Sequence, residues 1–121
     1  MSKARARFRP HERLNDPDVF RRAFQRRRWE SDAILAVYGI ENGRDHPRLG
    51  ISISRKKVRA ANAQNRLKRL IREAFRLSKD DLPTGIDLVV VPRTENPSFA
   101  SVRSSLVVLG RRLGRRMQVR E

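Results

Sequence analysis

The sequence predicts a small α+β domain, in the order helix, strand, strand, strand-like turn, helix, strand, helix. Three observations carry that reading. Residues 33–40 (AILAVYGI) and 86–91 (IDLVVV) are apolar on both faces and of strand length. Residues 48–54 alternate strictly, with Leu49, Ile51 and Ile53 to one side and Arg48, Gly50, Ser52 and Ser54 to the other. The second part of residues 55–77 then takes a helical period, so the strands on either side of that helix can lie parallel, joined by a crossover. At 121 residues the chain reads as a single domain over 1–121 with a modest core.

Residues 1–12 carry Lys3, Arg5, Arg7 and Arg9 ahead of Pro10 and read as a flexible basic arm that orders on a partner. Asp16 is a good N-cap, and Pro17 suits the first helical position because its missing N–H is unpaired there anyway. Val19, Phe20, Ala23 and Phe24 form the apolar stripe of this first helix, which fades into Arg26, Arg27 and Arg28. Two roles suit Phe20 and Phe24, which point the same way at i and i+4: core packing, or a stacking platform beside a basic groove. Trp29 is expected to cover the edge of the sheet; stacking on a base is the alternative. Asn42-Gly43 and His46-Pro47 mark a loop. The side of the next strand that carries Arg48, Gly50, Ser52 and Ser54 has no bulky apolar residue and suits the floor of an open groove.

In the central helix Ala63, Leu67, Leu70, Ile71, Ala74 and Phe75 share one face. Asn62, Asn65, Arg69, Arg72 and Arg76 share the opposite face, flanked by Arg66 and Lys68, and only Glu73 interrupts the cations. One side is built to dock on a core; the other, a row of cations and amides, suits phosphate oxygens and sugar hydroxyls. Leu82, Pro83, Thr84 and Gly85 make a turn, and Pro92 ends the last strand. Asn96-Pro97-Ser98 opens a final helix in which Phe99, Val102, Leu106, Leu109 and Leu113 recur at helical spacing. Gly110 and Gly114 weaken its end by about 1 kcal/mol each. Residues 115–121, with Arg115, Arg116 and Arg120, read as a basic tail.

The 29 Lys and Arg against 13 Asp and Glu give a net charge of +16. Self-repulsion of that size calls for a polyanionic partner: RNA, DNA or an anionic membrane. No run of about 20 apolar residues is present, which excludes a transmembrane helix, and no apolar segment follows the charged N-terminal stretch, which argues against a secretory signal. The absence of cysteine removes disulfides and thiolate metal sites and agrees with a cytoplasmic location. No catalytic residue and no protein metal site is assigned. His11 and His46 lack a carboxylate at motif spacing, Asp80-Asp81 reads as a helix stop, and the glycines form no phosphate loop.

HPRLGISIS (residues 46–54), followed by Lys56, Val58 and NRLKRLIREAFRL (residues 65–77), resembles the protein subunit of bacterial ribonuclease P. The likeness extends to Arg13-Leu14, the Phe20/Phe24 pair, Tyr38 and DLVVV (residues 87–91), and covers residues 13–113. It implies an α/β sandwich like the second domain of ribosomal protein S5, with a left-handed βαβ crossover that runs against the general rule. It also implies an RNA-binding component, one per catalytic RNA, that assists endonucleolytic removal of the 5′ leader from precursor tRNA. The implied cofactor is Mg2+, bound mainly by the partner RNA and favoured by the protein, and no membrane is involved.

Matched position by position, Asn65 and Arg66 take the second and third places of the family's helix signature, and Lys68, Arg69 and Arg72 continue it. Lys56, with Arg55 and Lys57, matches the basic turn before it. Phe20, Phe24 and Tyr38 match aromatics of a cleft that holds the single-stranded leader, and Ser52 lies on its floor. The signature usually opens with arginine, where this chain has Gln64, which keeps a hydrogen-bond donor but loses the charge and the planar fork. Either Arg59, in the turn, or Arg66 takes over, or RNA contact at this corner is weaker. The alternative functions are a structural ribosomal RNA-binding protein and a sequence-indifferent DNA-binding protein.

Overall fold

The computed structural model describes residues 8–118. The first helix, α1 (Pro17–Arg26), starts where expected: Asp16 Oδ1 accepts the Asp18 N–H at 2.9 Å and Pro17 occupies the first turn. It stops at Arg27, whose φ of 56° is left-handed. Then follow β1 (Trp29–Ser31), β2 (Leu35–Glu41), β3 (Arg48–Ile51), α2 (Ala61–Ser78), β4 (Ile86–Pro92) and α3 (Phe99–Gln118). One sheet has the order β1-β2-β4-β3. β2 is antiparallel to both β1 and β4, while β3 and β4 are parallel and joined through α2.

The strand count before α2 matches the expectation, but the third strand is not the turn after Ser54. It is β1, three residues long and therefore too short to display alternation, and it pairs Trp29, Glu30 and Ser31 with Tyr38, Val37 and Ala36. Past Ser54 the chain folds into a tight turn in which the Lys57 and Val58 N–H groups both donate to the Ser54 carbonyl. β2 begins at Leu35, two residues late, because the Asp32 carboxylate accepts the N–H groups of Ile34 and Leu35 at 2.8 and 3.0 Å and holds a turn there.

One sheet face carries the main core. Leu35, Val37, Leu49, Leu88 and Val90 lie beneath Ile71 and Phe75 of α2 and Val102, Leu106, Leu109 and Leu113 of α3, all buried. Each such side chain contributes about 1.5–3 kcal/mol on burial, so α2 is anchored through its apolar stripe. The other face has a smaller cluster, Leu14, Val19, Ala23, Ile40 and Val89, with Phe20 and Tyr38 half-buried at its margin. α1 covers only that part of the sheet.

Both ends depart from the expected arm and tail. Residues 1–7 and Arg120 lie outside the described residues. Phe8, however, packs edge-on to Phe75 with ring centroids 5.5 Å apart. Pro10–Glu12 form a short 3-10 turn. Glu12 is buried there, accepting the Arg9 N–H at 2.6 Å and pairing with Lys79 at 3.0 Å. At the other end α3 continues through Gly114, taking in Arg115 and Arg116. The glycines do not end the helix; they let the Leu82–Pro83 turn pack against it. A Cβ on Gly110 would lie 2.9 Å from Leu82 Cδ2, and one on Gly114 would lie 2.8 Å from Pro83 Cβ.

Candidate nucleic-acid interface

Within RKKVR (residues 55–59), Val58 alone is buried, 3% exposed. It pins the turn to the domain and leaves Arg55, Lys56, Lys57 and Arg59 in solvent around it. Four cations thus border the N-terminus of α2, where the N-cap residue Ala60 has no capping side chain and Asn62 Oδ1 accepts the Ala63 N–H at 2.9 Å. That end carries the positive pole of the helix, so dipole and side chains favour an anion together. Along α2, Asn65, Arg66, Arg69 and Arg72 are exposed and Lys68 is half-buried. The side chains of Asn65, Lys68, Arg69 and Arg72 meet no hydrogen-bond or ion-pair partner among the described residues. Arg66 is partly engaged: its Nη2 donates to the Pro97 carbonyl at 3.0 Å.

Gln64 is occupied differently. Its Nε2 donates to the Val58 carbonyl at 2.6 Å, so the amide ties the basic turn to the helix. At the far end Glu73 pairs with Arg76, whose guanidinium holds that carboxyl below the ordinary range despite some burial. The one acid in the row is therefore answered by its neighbour and does not offset Arg69 or Arg72.

A shallow groove runs beside this row, walled by Arg13, Phe8, Lys68 and Arg72. The Arg13 guanidinium stands 5.1 Å from the centre of the Phe8 ring. Neither residue is assigned a site role from sequence, because both fall in what reads as arm and linker; the basic charge at Arg13 and the extension of the family likeness to Arg13-Leu14 are the signals that point there.

The residues expected at the leader cleft come together on the other sheet face. Tyr38 pairs in register with Val89, and Val89 with Gly50. Phe20 lies over Gly50, where a Cβ would come within 2.6 Å of its Cζ. Phe24, 37% exposed, meets Tyr38 edge-on with centroids 4.7 Å apart. Ser52 follows directly on the Ile51–Val90 pairing, half-buried, its N–H donating to the Val90 carbonyl at 3.0 Å. Phe20 therefore packs on the sheet over Gly50 and remains half-buried, while Phe24 stands open to solvent. The next row is polar but closed: Arg48 grips Asp87 with Nε and Nη2 at 2.8 and 2.6 Å, and Asn42 Nδ2 adds a third bond at 2.8 Å. That hydrogen bond from Arg48 to Asp87 raises the guanidinium pKa further, burial notwithstanding.

The histidines come together although they are far apart in sequence. His46 places Nε2 3.2 Å from the His11 carbonyl and Nδ1 3.0 Å from Asp45, and the two rings meet edge-on at 4.9 Å. This fastens the loop to the short turn at Pro10–Glu12. No group of three or more His, Cys, Asp or Glu is placed to hold a metal ion among the described residues. Nor is any helix among them long and apolar enough to cross a membrane.

Residues 8–114 match the family model described as Ribonuclease P. The chain belongs to that family. It is 46% identical over 89 residues to the "Ribonuclease P protein component" of Methylococcus capsulatus, covering 74% of this chain and 69% of that one. It is 40% identical over 81 residues to the protein of the same name from Sodalis glossinidius, covering 67% of each. Among solved structures, the RNase P protein from Thermotoga maritima superposes with a TM-score of 0.73 at 36% identity, over 83% of this chain and 96% of that one. The Staphylococcus aureus RNase P protein gives 0.70 at 29%, over 81% and 91%. As a ribonuclease P protein the chain is the RNA-binding component of an endoribonuclease holoenzyme that processes the 5′ end of tRNA, with catalysis by the RNA subunit. Family membership sets aside the ribosomal and DNA-binding alternatives.

Proposed function

We propose that the open face of α2 and the turn before it grip the catalytic RNA, while the cleft between α1 and the sheet holds the single-stranded 5′ leader of precursor tRNA. The observation that carries this is the unpartnered run Asn65, Lys68, Arg69 and Arg72, fixed on a helix whose opposite side is buried in the core. Arg55, Lys56, Lys57 and Arg59 extend the run around the helix end, and Arg66 adds to it with the guanidinium hydrogens not used by Pro97. Gln64 supports the site from beneath, so Arg59, exposed and without a partner among the described residues, supplies the cation missing at the start of the signature.

The leader reading rests on Phe24 and Tyr38, on Phe20 over Gly50, and on Ser52 at the cleft floor. Stacking on aromatic rings is tolerant of sequence, as suits a leader that varies from one precursor to the next. Magnesium bound mainly by the RNA would supply Lewis-acid chemistry for the hydrolysis, and no residue of this chain is assigned to hold it. The protein favours its binding by neutralising crowded phosphates in a complex of one protein per RNA in the cytoplasm.

Reconstitution with the catalytic RNA at low magnesium tests this. Cleavage should require the protein, and the protein should tighten binding of precursor over mature tRNA. Phe24→Ala should reduce that preference while assembly with the RNA persists. Equal affinity for precursor and mature tRNA with the intact protein would overturn the cleft assignment.

A further inference from the structure

Trp29 is the only tryptophan of the chain and is 45% exposed. It stands in the edge strand β1 opposite Tyr38 in register, so both side chains lie on the α1 face of the sheet. Their rings stack with centroids 6.0 Å apart and planes 30° apart. Since Tyr38 also meets Phe24 edge-on, three aromatics run from α1 to the outer edge of the sheet. On the backbone side, Arg116 Nη1 takes the Trp29 carbonyl at 2.9 Å and the Glu30 carboxylate at 2.7 Å, which fixes the edge strand to α3. The indole N–H meets no hydrogen-bond partner among the described residues. Arg27 and Arg28 immediately precede it. Arg28 is held by Glu41 at 3.2 Å, whereas Arg27 is exposed and unpartnered among the described residues.

A tryptophan that only shielded the sheet edge would be more deeply covered. Here a rigid ring backed by Tyr38 leaves nearly half its surface to solvent, at the end of the aromatic line and next to a free cation. We infer that Trp29 is an outer stacking platform for the leader, taking nucleotides that leave the cleft across β1. The inference rests on the cleft reading above and adds the direction of the path. The strand enters beside β3, the sheet edge next to α2 and the bound RNA, and leaves over β1. Three strand spacings separate those edges, about 14 Å, so the nucleotides at Trp29 are those farthest from the cut, and short leaders do not reach it.

Because there is one tryptophan, the unmodified protein reports on its own site. In the reconstituted holoenzyme, indole emission should change on binding precursor tRNA with a long leader and stay constant with a leader of one or two nucleotides. Trp29→Ala should remove the affinity gained on lengthening the leader, a loss of about five- to 150-fold for one base-on-aromatic contact, and Trp29→Phe should restore most of it. Emission that ignores leader length, or a Trp29→Ala loss equal at every length, would overturn the inference. The emission arm needs no substitution and stands even if Trp29→Ala folds poorly. Phe24→Ala run alongside separates the two readings. If it reduces the preference for precursor while Trp29 stays silent, only the outer platform is wrong; if both are silent, the cleft itself is.

Discussion

Gly50→Ala is the substitution that most sharply probes how α1 sits on the sheet. Gly50 is in β3, flanked in register by Val89 and lying under the ring of Phe20. An added Cβ would lie 2.6 Å from Phe20 Cζ, 3.0 Å from Cε1 and 3.2 Å from Leu14 Cδ2. Carbon contacts are comfortable at about 3.5–4.0 Å, so the ring must move by about 1 Å. It cannot sink, because Val19 and Ala23 on the same helix are buried against Ile40 and Val89. The ring swings outward over the cleft or α1 lifts. Overpacking of this kind costs about 1–3 kcal/mol, and replacing a strand glycine returns about 0.5–1 kcal/mol of backbone entropy, leaving a net loss of up to about 2.5 kcal/mol. Urea unfolding should show the midpoint falling at constant slope. Precursor tRNA should lose its advantage over mature tRNA, while binding to the catalytic RNA through α2 holds. A stabilised variant with an unchanged preference for precursor would refute the packing of Phe20 over Gly50 and its place at the cleft.

Two further predictions concern the framework. Asp87→Ala should destabilise by about 3 kcal/mol, because it strips the partner from a mostly buried Arg48 and from the Asn42 amide; a loss under about 1 kcal/mol by urea unfolding would mean that water replaces the carboxylate freely. The Asp32 carboxyl is lifted by burial, but the Leu35 N–H, the Ser105 hydroxyl and the Ile34 N–H outweigh this and hold it below its ordinary value. Its contribution to stability is therefore complete above about pH 4 and lost as pH falls through the lowered folded value. Thermal unfolding of Asp32→Asn should fall less steeply than wild type over that acid window, and parallel curves would contradict the assignment.

Much of the fold was legible because its signals are local. The Asp16–Pro17 start of α1, the apolar face of α2 and the Phe99-to-Leu113 stripe of α3 each follow from periodicity and capping. β1 was hidden because three residues make no pattern, and its pairing depends on Tyr38 nine residues on. The continuation of α3 was hidden for a different reason: Gly114 looks like a terminus until Pro83 is seen packed against it. Among site residues, the exposure of Asn65, Arg69 and Arg72 could be read from the helical wheel. That Gln64 turns back to Val58, and that Arg66 touches Pro97, could not, since both depend on where a neighbouring segment ends. The stacking of Trp29 on Tyr38 is likewise a product of strand register.

The central claim, that the open face of α2 grips RNA phosphates, is tested most directly by the salt dependence of assembly with the catalytic RNA. Arg69→Ala combined with Arg72→Ala should make the slope of log K against log salt shallower by about 0.7–0.9 for each lost phosphate contact. Stability should stay within about 0.5 kcal/mol, because both side chains are exposed and unpartnered. An affinity and a slope both unchanged from wild type would contradict the account.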